Sequence, residues 1–227
     1  MTKWSTPSLV IPASITSPTM RSWAAGAVYR AFHTDHSNHP RPPKATTLFA
    51  VNLPSSGDTQ YINMHDAFDD LPADTKQRID GLKAVHVYLS KYSPRPLGRI
   101  SEESRRNLPP PGIHPLCARI PKTAGRRCSR TRCAWLGMED KEALALIDDL
   151  MLHATRKKYE YRHRWRPGDW VLWDNRSVMH QANPDYDMNE RRYLYRLMLK
   201  GEAPVWSGRD MLSLSLSAHD LEPTWGS

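Results

Sequence analysis

Three β-rich runs crowd the last third of the chain: Glu160 to Trp165, Asp169 to Trp173 and Tyr193 to Leu199. Pro167-Gly168 supplies a turn between the first two, because proline presets one turn torsion and glycine accepts a left-handed one. These runs follow the clearest helical pattern in the sequence, Glu139 to Thr155. There Ala143, Ile147, Leu150, Met151 and Ala154 form one apolar stripe, and Asp140, Glu142, Asp148 and Asp149 stay largely off it. Upstream, Ala45 to Val51 is β-rich and ends at the breaker Pro54-Ser-Ser-Gly57, while Lys83 to Tyr88 alternates with period two. Between them Asn63 can cap a helix, and Pro72 opens a second short one that Gly81 closes. Strands on both sides of a helix, with hairpin spacing late in the chain, predict a mainly β fold: an antiparallel sandwich with helical insertions. Residues 1–30 give no clear element, although Trp23 to Tyr29 approaches a strand.

The chain has 227 residues, room for one ordinary domain, and a formal charge of +8. That charge has one source. Pro94 to Cys133 holds ten basic residues against Glu102 and Glu103, so the rest of the chain balances at zero. The same stretch has seven prolines and neither a strand nor a helix period, which predicts a long loop or excursion. No aromatic residue falls between Tyr92 and Trp135, so a solvated basic loop is favoured over a nucleic-acid clamp. No apolar run reaches the ~18–20 residues of a membrane span, and Pro12 interrupts the short patch Leu9-Val10-Ile11. The first 34 residues lack Asp and Glu, a faint likeness to a transit peptide. Cys117, Cys128 and Cys133 are an odd count with spacings unlike a zinc site, so a reducing, cytoplasmic setting is expected.

Phosphate-binding glycine loops and the G-x-S-x-G nucleophile elbow are absent, which weakens nucleotide and serine-hydrolase readings. What remains is a set of His, Asp and Arg residues in strand-like surroundings. His33-Thr34-Asp35 places an imidazole and a carboxylate at i and i+2, on one face of an extended chain. With ten His and 16 Asp, about 0.7 such pairs are expected by chance, so the motif alone decides nothing. Trp173-Asp-Asn-Arg176 is followed by His180, which the turn after a late strand can present to the same interior. Two His and one carboxylate, leaving three positions open, form the donor set of a non-haem Fe(II) that binds a cosubstrate and O₂. Two unrelated surface motifs are the equal alternative on these residues. Arg191, Arg192 and Arg196 sit at the last β-rich run, where Arg192 and Arg196 share a strand face and offer forks for carboxylates. An edge-strand guard against aggregation is the other use of such arginines. Gly57-Asp58-Thr59 reads as a turn whose Thr hydroxyl could donate to an anion.

Taken in order, these motifs resemble the TauD/TfdA family of Fe(II)- and 2-oxoglutarate-dependent dioxygenases. The resemblance runs from about Phe32 to Lys200. It is carried by His33-Thr-Asp35, Pro42-Pro-Lys-Ala-Thr46, Gly57-Asp-Thr59, Leu82-Lys-Ala-Val-His86, His153-Ala-Thr155, Tyr161 to Asp169, Trp173-Asp-Asn-Arg176 with His180, and Arg191-Arg192 with Arg196. It implies a double-stranded β-helix, or jelly roll, with His33, Asp35 and His180 as iron ligands. It further implies Arg192 and Thr59 on the distal carboxylate of 2-oxoglutarate, with Arg191 as the alternative because one extra residue separates His180 from the pair. Arg196 matches a position that binds an anionic group of the substrate. The implied reaction hydroxylates a small anionic compound, a sulfonate or carboxylate, at the expense of O₂ and 2-oxoglutarate, with succinate and CO₂ as coproducts. The implied cofactor and cosubstrates are Fe(II), 2-oxoglutarate and O₂, and a homo-oligomer is an implied assembly. On this reading residues 1–30 are a short amino-terminal segment, 31–202 the dioxygenase domain and 203–227 a tail.

The chain departs from the family in three places. It has less sequence before the H-x-D, so it reads as amino-terminally shortened. Phe32 stands where Trp commonly precedes the motif, and the stretch 117–135 carries Arg126-Arg-Cys-Ser-Arg-Thr-Arg-Cys133 where an apolar strand is usual. Adjacent guanidiniums cannot be buried without partners, so no core strand is expected there. Two competing readings follow: an inactive remnant that keeps the fold, and a nucleic-acid binder acting through 94–133.

Overall fold

The computed structural model describes residues 11–14, 32–86, 101, 103, 106, 110–119, 126–128, 138–187 and 189–206. Trp23 to Tyr29 and the basic residues of 94–100 lie outside the described residues. In chain order the strands are β1 (Ile11–Ser14), β2 (Ala45–Asn52), β3 (Thr59–Asn63), β4 (Lys83–His86), β5 (Gly112–Pro115) and β6 (Cys117–Arg119). Then come β7 (Arg126–Cys128), β8 (Glu160–His163), β9 (Trp170–Asp174), β10 (Val178–Ala182), β11 (Tyr193–Leu199) and β12 (Val205–Trp206). Helices α1 (Met64–Asp69) and α2 (Ala73–Ile79) follow β3, and α3 (Asp140–Ala154) precedes β8.

Two sheets build the site. One has the order β1-β11-β2-β9 and the other β10-β3-β8, with every pairing antiparallel. Their inner faces meet where the rings of Tyr61 (β3) and Trp173 (β9) approach to 5.3 Å. Behind the second sheet lies the apolar core. Ile62 and Met179, on the side of their strands opposite Tyr61 and His180, join Met64, Phe68, Ile79, Ala143, Ile147 and Met151 in one buried cluster. Each such aliphatic side chain removed from water contributes roughly 1.5–3 kcal/mol. Period two in the strands therefore separates the two jobs: one face packs on helices and the other lines the site. The helical stripe foreseen on α3 is the buried one, extended by Leu146. Asn63 caps α1 as expected, its side chain accepting from the backbone N–H of His65 and Asp66.

Several expectations need correction. Pro167-Gly168 makes a turn, with Gly168 at φ +89°, but it does not close a hairpin. β8 pairs with β3 and β9 with β2, so the turn carries the chain from one sheet to the other, held by Gly168 N–H to the Ala50 carbonyl at 2.8 Å. The amino-terminal stretch without a recognised element contains β1, which pairs along β11 from Tyr193 to Arg196. The supposed basic loop holds β5, β6 and β7, and Leu116, Cys117 and Ala118 are all buried. A charge total over forty residues concealed this short apolar run, Gly112 to Ala118. The tail begins with β12, which pairs with β6. Strand β3 escaped notice because a turn signal at Gly57-Asp58 and the cap at Asn63 leave it only a few residues.

Candidate functional site

His33 and His180 are brought together by backbone. They form an isolated antiparallel bridge, each N–H donating to the other's carbonyl at 2.9 Å. Their rings lie 4.4 Å apart, and both Nε2 atoms face Asp35 Oδ1, at 3.8 Å from His33 and 3.7 Å from His180. One ligand atom from each of the three residues lies within 4.8 Å of the others. His180 does not come from a turn, as expected, but from the middle of β10, directly opposite Tyr61 of β3. A strand holds the imidazole more rigidly than a turn can, because both of its neighbours are locked in the ladder.

Asp35 is oriented from two sides. Thr46 Oγ1 donates to Oδ2 at 2.8 Å, which leaves Oδ1 for the imidazole side. Asn175, itself buried, accepts from the Asp35 N–H at 3.0 Å and donates to the Asp35 and Pro43 carbonyls. Both residues stand in the sequence motifs, Pro42-Pro-Lys-Ala-Thr46 and Trp173-Asp-Asn-Arg176, where nothing in the linear chain marks them as positioning groups. Burial alone would raise the Asp35 carboxyl, yet His180, His33, Thr46 and Arg196 together hold it below its ordinary value, so it is anionic. Burial, then the neighbouring His33, push the His180 imidazole down to about 3, outweighing the pull of Asp35. It therefore stays neutral and keeps the lone pair that a metal needs. Two imidazoles, that of His180 held neutral, and one carboxylate, closely grouped, fit a divalent first-row metal of the kind that leaves positions open.

Arg192 is 5% exposed, and its Nε and Nη2 find no hydrogen-bond partner among the described residues. Arg191 is exposed and lies over the Tyr193 ring at 5.3 Å, so the structure settles which of the pair points inward. Thr59 is not in a turn; it opens β3, is buried, and accepts from Trp165 Nε1 at 2.9 Å. Its own O–H thus remains a donor. Tyr61 Oη and Trp173 Nε1 are likewise buried with no partner among the described residues. The inner faces around the triad therefore present donors in excess of acceptors, as an anion requires. Arg196 stands a third exposed with Nη1 at 3.9 Å from Asp35 Oδ1, on the inner face of β11 beside the triad.

A strap from Asn183 to Glu190 crosses the Ser55–Asp58 loop beside Thr59. Asn183 N–H donates to the Asp58 carbonyl at 2.9 Å, Ser56 Oγ to the Asp185 carbonyl at 2.6 Å, and Ser55 N–H to Glu190 at 2.8 Å. Arg162 joins both sides through Asp58 and Asp185. Tyr186 packs its ring on Gly57.

Comparison with known proteins agrees with this geometry. A family model, "Taurine catabolism dioxygenase TauD, TfdA family", matches residues 11–198. An alpha-ketoglutarate-dependent 2,4-dichlorophenoxyacetate dioxygenase of a Burkholderia species is 38% identical over 175 residues, 75% of this chain and 58% of that protein. An alkylsulfatase of Acinetobacter baylyi is 30% identical over 214 residues, covering 87% of this chain and 66% of the relative. Among solved structures, a taurine dioxygenase from Burkholderia xenovorans superposes with a TM-score of 0.72 at 28% identity, over 87% of this chain and 66% of that one. AAD-2 in complex with Mn(II) and N-oxalylglycine gives 0.70 at 28% identity, over 86% and 73%. The chain spans about three fifths of the length of two curated relatives, 58% and 61% for the two dichlorophenoxyacetate dioxygenases. With most of its length matched by one family model, the chain belongs to the TauD/TfdA family.

Proposed function

We propose that the protein is an Fe(II)- and 2-oxoglutarate-dependent dioxygenase that hydroxylates a small anionic organic compound, on a double-stranded β-helix scaffold. The observation that carries this reading is a buried guanidinium, Arg192, whose Nε and Nη2 have no acceptor among the described residues, in the same inter-sheet space as a two-His, one-Asp triad. An unpartnered buried charge is costly, and a dicarboxylic cosubstrate would supply the missing acceptor. Relatives named for phenoxyacetate and sulfate ester dioxygenases support an anionic substrate.

His33, Asp35 and His180 would hold the metal. Iron, 2-oxoglutarate and O₂ together supply an oxidant that converts a substrate C–H to C–OH, with succinate and CO₂ as coproducts. The chain's own work is positional. Thr46 fixes the Asp35 carboxylate, Asn175 fixes the Asp35 backbone, and the His33–His180 bridge fixes the spacing of the imidazoles. Arg192 and the Thr59 hydroxyl receive the distal carboxylate of 2-oxoglutarate. Arg196, the cation next to the triad that is a third exposed, receives the anionic group of the substrate. The ring walls of Tyr61 and Trp173 keep water from the reacting side of His180.

The test is succinate formation from 2-oxoglutarate across a panel of phenoxyalkanoates, sulfonates and sulfate esters. It should require both Fe(II) and O₂ and rise with one class of anion. Absence of Fe(II) binding together with absence of turnover on every panel member would overturn the proposal. An inactive remnant would give that result.

A further inference from the structure

Tyr61 is buried to 6% exposure at the centre of β3, directly across the ladder from His180. Its ring stacks on the His180 ring at 6.1 Å and meets Trp173 edge-on at 5.3 Å. These contacts account for the ring but not for the hydroxyl. Phenylalanine would make the same packing without burying a polar atom, and buried hydroxyls nearly always find a partner. Tyr61 Oη finds none among the described residues. Tyr61 shares the inner face of β3 with Thr59 and stands against His180 of the triad, and the fields of Arg192 and Asp35 both reach it. The hydroxyl therefore belongs to the inter-sheet space that the triad and the buried guanidinium share. A phenol is both an O–H donor and an acceptor, so the group can offer this space a donor.

We propose that Tyr61 is a cosubstrate-binding residue, its hydroxyl donating to the distal carboxylate of the 2-oxo acid alongside Arg192 and Thr59. This rests on the dioxygenase reading above. A carboxylate has about four lone-pair directions, and the Arg192 fork uses two of them. The Thr59 and Tyr61 hydroxyls approach from β3, where the two residues share a face at i and i+2. The carboxylate would then be saturated by donors of one fixed geometry, which favours a dicarboxylic 2-oxo acid over a monocarboxylic one.

The test uses Mn(II)-loaded full-length protein and titration calorimetry with two probes: N-oxalylglycine, which carries a distal carboxylate, and pyruvate, which does not. Tyr61→Phe should weaken N-oxalylglycine binding about tenfold, as expected for loss of a hydrogen bond to a charged group. Pyruvate and Mn(II) affinities should stay within twofold of wild type. Tyr61→Trp, which keeps a ring and an N–H donor, provides a second variant should Tyr61→Phe fail to fold; it should discriminate between the probes less than wild type does. Equal losses for both probes would place the hydroxyl at the keto-acid end and overturn the assignment, as would unchanged N-oxalylglycine affinity in Tyr61→Phe. Failure of the wild-type protein to bind N-oxalylglycine in the presence of Mn(II) would instead overturn the dioxygenase reading itself.

Discussion

Thr46 and Asp35 share a buried hydrogen bond of 2.8 Å that decides which carboxylate oxygen faces the imidazoles. Without it Oδ2 would be free to rotate into the triad, and the carboxylate would lose its single orientation. Thr46→Val, nearly isosteric, should weaken Mn(II) or Fe(II) affinity by about tenfold, the lower end for an outer hydrogen bond on a metal ligand. Equilibrium dialysis measures it; unchanged metal affinity would show that the Thr46 bond does not set the orientation of the carboxylate.

Arg192 sets stability against function. Arg192→Met removes a buried guanidinium that lacks an acceptor, and similar replacements are neutral or stabilising by roughly 1–4 kcal/mol. The ligand-free variant should therefore melt no lower than wild type, while its 2-oxoglutarate affinity falls by about two orders of magnitude or more. Thermal unfolding with and without 2-oxoglutarate reads both. A variant that melts lower yet binds 2-oxoglutarate normally would place Arg192 in the scaffold only.

His180→Ala should abolish metal binding and succinate formation while leaving the sheet intact, because β10 is held to β3 and to His33 by backbone hydrogen bonds. Far-ultraviolet dichroism checks the fold. Succinate formation that persists in this variant would exclude the triad as the metal centre.

Gly57 lies at φ +102°, and a Cβ there would stand 2.6 Å from Tyr186 Cδ1. Gly57→Ala should strain the backbone and lift the strap, costing about 1–3 kcal/mol of stability. Loss of the strap should raise KM for 2-oxoglutarate more than it lowers kcat. A change in kcat alone would argue that the strap does not cover the cosubstrate.

Asp174 and Arg176 give the acid dependence. Burial alone would raise the Asp174 carboxyl, but hydrogen bonds from Arg176, from Nε at 3.0 Å and Nη2 at 2.9 Å, hold it below its ordinary value. The unfolded chain then binds the proton more readily, so this contribution is present above the ordinary carboxylate value near 3.8 and disappears as pH falls through the lower folded value. Arg176→Leu should lose on the order of 1 kcal/mol near neutrality, a modest figure because both groups are partly exposed and solvent screens them. The gap should close in acid. Urea melts across pH 2–7 test this, and a gap that stays constant with pH would assign the effect to packing instead.

The sequence by itself determined what is local or periodic. The stripe on α3, the Asn63 cap, the extents of β2 and β11, and the donor types His33, Asp35, His180 and Arg192 all follow from spacing, side-chain chemistry and motif order. Tertiary structure alone decided which strands pair. Pro167-Gly168 has the chemistry of a hairpin turn, yet it joins two sheets, because pairing depends on which distant strand offers the better face and not on the turn. It also decided that Arg192 is buried and Arg191 exposed, a choice made in the two residues just before β11, outside any strand. The same holds for Thr46, Asn175 and Tyr61. Each is an ordinary polar residue in the linear chain, and each acquires its role only when a segment 11 to 140 residues away brings a carboxylate, a carbonyl or an imidazole beside it.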